Sequence, residues 1–141
     1  MDYKRIENTI VIRMDKDEEI IETLKKVCLK ENVKLASLSA IGAIKQFKIG
    51  VYDVEKKQYF SKDYSGTYEI VSLLGNISTM NDEYYSHLHI SCSSFDGNVI
   101  GGHLNSGIVS ATVEMFLSVI DGRVDRKVDP VTGLNIFDFD K

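Results

Sequence analysis

Apolar side chains in this chain change their period near residue 33. Before that point Ile20, Ile21, Leu24, Val27 and Cys28 recur at helical spacing and make one apolar stripe. The surrounding segment, DKDEEIIETLKKVCLKEN, opens with acids and closes with lysines, the charge order that suits a helix dipole. It predicts one main helix within about residues 16–31, its stripe facing the core. Ahead of it, TIVIRM (9–14) is a short β-branched run that reads as a strand. From Val33 onward the period is two. LASLSAIGAI, FKIGVYDV, KQYFSKDY, TYEIVSLLGNI, YSHLHISCS, NVIGGHLN and ATVEMFLSVI all read as strands, with turn formers at Asp53, Ser65-Gly66, Asn81-Asp82 and Asp96-Gly97. NSGIVSATV is ambiguous, and a second helix there stays open. A strand, a helix and then a run of strands predict one α+β domain over residues 1–141 with a largely antiparallel sheet.

Composition adds limits to that picture. A chain of 141 residues, 43% hydrophobic and 27% charged, suits a soluble globule with a proper core. The net charge of -4 runs against a surface built for phosphate contacts. Lys25, Lys26, Lys30 and Lys34 are interleaved with Glu22 and Glu31 and read as a solvated helix face. The charged start MDYKRIEN lacks the apolar stretch of a signal peptide, and IVSATVEMFLSVI is short for a bilayer and interrupted by Glu114. A cytoplasmic protein without membrane contact is expected, in which Cys28 and Cys92 are buried free thiols. Asn76-Ile77-Ser78 matches a glycosylation acceptor, which has no consequence without secretion.

The chemistry concentrates in HLHISCSSFDGNVIGGHL (87–104), which holds all three histidines, His87, His89 and His103. On a strand, Leu88, Ile90 and Cys92 take one face, and His87 and His89 share the other. The turn decides whether His103 joins them. A three-residue loop, Phe95-Asp96-Gly97 with Gly97 left-handed, places His103 opposite His89. A two-residue loop places it opposite Ile90, unless a bulge at Gly101-Gly102 re-aims it. Convergent neutral imidazoles are zinc ligands, and three of them leave a fourth position for water or substrate, as in catalytic zinc sites. Gly101 and Gly102 would leave room for a ligand above the sheet. The competing reading is three half-exposed histidines on a polar sheet face. Glu69 and Glu114 each stand alone among apolar neighbours, and either could serve as a further ligand or general base. An outward-facing position explains each of them equally well.

These segments resemble a known family. IGAI, IGVYD, YEIVSLLGNIS, HLHIS, DGNVIGGHL, TVEMFL and RKVDPVTGL follow, in order and over nearly the whole chain, the pattern of the PPC domain, named for plants and prokaryotes. The resemblance implies an α+β domain with an about seven-stranded, largely antiparallel sheet, assembled as a homotrimer. Prokaryotic members are often described as predicted DNA-binding proteins, because plant relatives couple the domain to AT-hooks. This chain has no RGRP-type AT-hook, and plant domains lack its histidine set. HxH followed by a third histidine on the next strand is similar to the zinc site of acetolactate decarboxylase, whose fold is related. That likeness implies zinc at His87, His89 and His103. The decarboxylase site also uses an arginine, and none of Arg5, Arg13, Arg123 or Arg126 matches it from sequence. Three functions follow: a trimeric zinc protein acting on a small carbonyl or carboxylate compound, a DNA-associated regulatory module, or a plain oligomerisation module.

Overall fold

The computed structural model describes residues 1–140. Its elements are β1 (Asp2–Ile6), β2 (Thr9–Asp15), α1 (Ile20–Lys30), β3 (Ala36–Asp53), β4 (Gln58–Met80), β5 (Glu83–Ser93), β6 (Val99–Val119), β7 (Asp125–Val128) and β8 (Asn135–Asp138). This is a single α+β domain with one helix. The main sheet has six strands in the order β1-β2-β6-β3-β4-β5, all paired antiparallel, and β7 and β8 form a separate two-stranded sheet.

The helix begins where Glu19 caps it, accepting the Glu22 backbone N–H at 2.7 Å. The other oxygen of Glu19 accepts from the Gly107 N–H at 2.8 Å, which fastens the helix start to β6. Ile20, Leu24, Val27 and Cys28 are buried, as the periodicity predicts. They join Ile44, Ile70, Leu73, Leu88, Ile90, Cys92 and Leu104 in one core cluster. Both cysteines are free and buried.

Between residues 36 and 119 the strands are longer and fewer than the sequence suggests. LASLSAIGAI and FKIGVYDV run together as β3, and KQYFSKDY and TYEIVSLLGNI as β4. NVIGGHLN and ATVEMFLSVI form β6, so NSGIVSATV is strand and not helix. The register shift between Ile44 and Gln46 falls at the false breaks in β3 and, opposite Tyr68 and Ser65, in β4, and the shifts opposite Gly42/Ile44 and Lys48/Ile49 fall at the one in β6. A bulge flips the inside–outside alternation without ending the strand, so a period-two reading stops where the chain continues. Ser65-Gly66 accordingly lies within β4. Asn81-Asp82 is a true two-residue turn, both residues left-handed at φ 53° and 69°. β1 was hidden because DYKRI, an edge strand, buries almost nothing.

Bending has one further effect. β5 hydrogen-bonds not only to β4 but also to the first residues of β6, so β3, β4, β5 and β6 close on one another. The core side chains fill the inside. The outer face of the β5–β6 junction carries the histidines.

Candidate metal centre

The β5–β6 hairpin fixes the register on which convergence depends. Its loop is Phe95-Asp96-Gly97, closed by a bond from the Ser94 N–H to the Asn98 carbonyl at 3.2 Å. Gly97 takes φ 77°, a conformation that glycine adopts without penalty. The register then pairs His89 with His103 directly, and Ile90 with Gly102. Of the turn geometries the sequence left open, the three-residue loop is the one present, without a bulge in this segment.

Leu88, Ile90 and Cys92 are buried, so His87 and His89 face outward. The imidazole centroids lie 5.0 Å apart for His87–His89, 5.3 Å for His87–His103 and 5.7 Å for His89–His103. The Nε2 atoms of His87 and His89 are 3.2 Å apart. One ligand nitrogen from each ring can be chosen so that all lie within 4.8 Å of one another. Zinc–nitrogen bonds of about 2.0–2.1 Å at tetrahedral angles set nitrogens roughly 3.4 Å apart, so small side-chain rotations complete such a set. Donor type and spacing both fit a divalent transition metal. Burial, and then the neighbouring His103, His89 and Arg126, push His87 from its ordinary 6.5 down to about 4. Burial, with His89 beside it, also lowers His103. Lowered values keep imidazoles neutral, the form that coordinates metal.

Two side chains wall the cluster. On the His87 side is Arg126 of β7, only 5% exposed. Its guanidinium lies 4.6 Å from the Tyr85 ring centroid and 4.3 Å from that of Phe137, between the two. It donates to Ser78 Oγ at 2.8 Å, the Asn135 carbonyl at 2.7 Å and Asn76 Oδ1 at 2.9 Å. Ser78 and Asn76 are the register partners of Tyr85 and His87, which puts the guanidinium one step from the first histidine. Arginine stays charged in proteins, and no carboxylate pairs with this one among the described residues. Nothing local in the sequence marks Arg126, but Asn76-Ile77-Ser78, a glycosylation-like motif, supplies two of its partners. On the His103 side stands Tyr59 of β4, its ring edge-on at 6.1 Å.

The proposed carboxylates do not join the histidines. Glu69 is exposed and lies five residues along β4 from Leu74, the partner of His89, or roughly 16 Å at strand spacing. Glu114 is exposed and two residues from Phe116, which lies in one cross-strand row with Ser39, Leu74 and His89. That row spans three strand spacings, roughly 15 Å. Both glutamates instead border a shallow depression with Ile41, Gly42, Ile70 and Thr112. They are outward strand positions in water, so the burial cost that singled them out does not arise. The glycines divide. Gly101 shares the histidine face by alternation, whereas Gly102, opposite Ile90, turns toward β3, where a Cβ would meet the Gly50 carbonyl oxygen at 2.8 Å.

Comparison with known proteins agrees with this architecture. The chain is 33% identical to a candidate DNA-binding protein from Bacteroides thetaiotaomicron, with a TM-score of 0.96 and 99% and 98% of the two chains covered. It is 30% identical to a metal-containing protein from Archaeoglobus fulgidus, TM-score 0.86, covering 97% and 98%. With a plant- and prokaryote-conserved protein from Pyrococcus horikoshii it shares 32% identity, TM-score 0.85, covering 99% and 95%. Among curated proteins none matches. Residues 1–121 match the Plants and Prokaryotes Conserved (PCC) domain, and the chain belongs to that family.

Proposed function

We propose that His87, His89 and His103 hold one divalent metal, zinc in the first instance, in a site that takes a small carbonyl or carboxylate compound. The observation that carries this is the convergence of three imidazoles on the outer face of the closed sheet, with ligand nitrogens within 4.8 Å. The similarity to an archaeal protein described as metal-containing supports it. When bound, zinc supplies Lewis acidity at the position its three nitrogens leave free. The chain supplies the rest. Neutral histidines give the site no negative charge, and the Arg126 cation stands beside it without a carboxylate partner among the described residues. An anionic ligand group is therefore favoured over a neutral one. Within one chain Glu69 and Glu114 lie roughly 15 Å from the histidines, so neither reaches them as ligand or base.

A homotrimer belongs to this reading. Beyond the family resemblance, Ile41, Val71, Leu74 and Phe116 are half-exposed or more, and Leu74 and Phe116 share the cross-strand row of His89. Such an apolar sheet face is suited to self-association. Light scattering at micromolar concentration should give three chains, and a monomer would refute that part.

The similarity to the Bacteroides protein favours a second reading, a DNA-associated module on the same scaffold. Zinc titration by calorimetry, run beside DNA binding over a salt series, separates the two. The metal reading expects zinc to bind the parent protein and not His89→Ala, with no salt-dependent DNA binding at physiological ionic strength. DNA binding without zinc binding would favour the second.

A further inference from the structure

His87 and His89 brace each other through their ring nitrogens, 3.2 Å apart. His103 makes no side-chain hydrogen bond among the described residues, so packing alone orients it. The ring beside it belongs to Tyr59, which comes from two strands away. Tyr59 lies on β4, with Tyr52 of β3 as its register partner, and its side chain must cross β3 to reach β6. It crosses at Gly50, the register partner of His103. A Cβ at Gly50 would lie 2.4 Å from the Tyr59 hydroxyl, 2.5 Å from its Cζ and 2.5 Å from the Phe60 carbonyl oxygen. Glycine is needed there for space, since its φ is not left-handed. Past the glycine, the Tyr59 hydroxyl donates to Asn105 Oδ1 at 2.6 Å. Asn105 is the bulged residue of β6, unmatched between Leu104, paired with Ile49, and Ser106, paired with Lys48.

We infer that Tyr59, seated on Gly50 and tied to Asn105, is a positioning residue that holds the His103 imidazole in the orientation a metal requires. The inference rests on the three-histidine metal reading. Ligating histidines are commonly oriented by a partner on their second ring nitrogen, and loss of that partner weakens metal binding by about 10–100-fold. His103 has no such partner among the described residues, and the perpendicular ring of the tethered phenol takes its place. The hydroxyl acts on the ring it belongs to. Tied to the bulge at Asn105, it keeps the aromatic edge against His103.

Zinc affinity by chelator competition, with the visible spectrum of the cobalt-substituted protein, tests this. Tyr59→Ala should weaken zinc binding by about 10–100-fold and shift the cobalt bands, while circular dichroism stays that of the parent. Tyr59→Phe keeps the ring and loses only the tether, so its effect should be several-fold smaller. Gly50→Ala takes the space of the ring and also meets the Phe60 carbonyl oxygen, so it should weaken zinc binding at least as much as Tyr59→Ala. Should Gly50→Ala not fold, the two Tyr59 variants decide alone. A folded Tyr59→Ala protein with the parent's zinc affinity and cobalt spectrum overturns the inference while leaving the metal reading intact. A parent protein that binds no zinc overturns both.

Discussion

Leu88 and His89 are neighbours in sequence on opposite faces of β5, so one substitution at each separates folding from metal binding. Leu88 is 1% exposed, and its Cδ2 lies only 2.6 Å from where a Cβ on Gly75 would stand. Leu88→Ala removes three buried carbons, a transfer loss of roughly 2.4 kcal/mol at about 0.8 kcal/mol each. The residual cavity carries the total to about 3 kcal/mol, inside the roughly 2–5 kcal/mol seen for such truncations. For a chain of this size that corresponds to a fall of roughly 10 °C in Tm. Urea unfolding at fixed protein concentration, followed by far-UV circular dichroism, measures the loss. His89→Ala should change stability by less than about 0.5 kcal/mol, because its side chain leaves the outer face and not the core. Zinc binding should show the reverse pattern, retained in folded Leu88→Ala and lost in His89→Ala. The reasoning fails if the two variants destabilise the metal-free protein equally, or if folded Leu88→Ala loses its zinc.

Three further outcomes follow from the same geometry. With His87 held down near pH 4, the folded chain binds fewer protons than the unfolded chain between about 4 and 6.5. Stability of the metal-free protein should therefore fall as pH drops through that window and level off below it, and His87→Gln should flatten the slope in urea titrations. Arg126→Leu removes a charge that lowers His87, so the His87 imidazole should titrate at higher pH by NMR, and the β7–β8 hairpin should lose hydrogen-exchange protection. Glu69→Gln and Glu114→Gln should leave zinc affinity unchanged by chelator competition, since both lie roughly 15 Å from the cluster.

Where one face of a strand is buried and the other wet, the alternation of side chains carried the structure into the sequence. Leu88, Ile90 and Cys92 against His87 and His89 is such a case, and the helix stripe from Ile20 to Cys28 is another. The histidine convergence needed one more element, the loop length, which Gly97 at the left-handed position indicates. Two kinds of feature stayed hidden. Bulged strands such as β4, irregular between Ser65 and Tyr68, change parity without ending, so one strand of 23 residues read as two. Long-range approaches leave no local pattern. Arg126 reaches Ser78 across 48 positions, and Tyr59 reaches Asn105 across 46. Glu69 and Glu114 misled for a related reason, since an apolar neighbourhood in sequence is an exposed position on a strand's outer face.

Whether three imidazoles hold one metal is decided by anomalous diffraction at the zinc edge from crystals equilibrated with zinc. One anomalous peak per chain is expected, about 2.0–2.1 Å from a ring nitrogen of each of His87, His89 and His103, with no peak there in His89→Ala crystals. The same crystals with no peak among the three rings, or with zinc bound elsewhere on the chain, would contradict it.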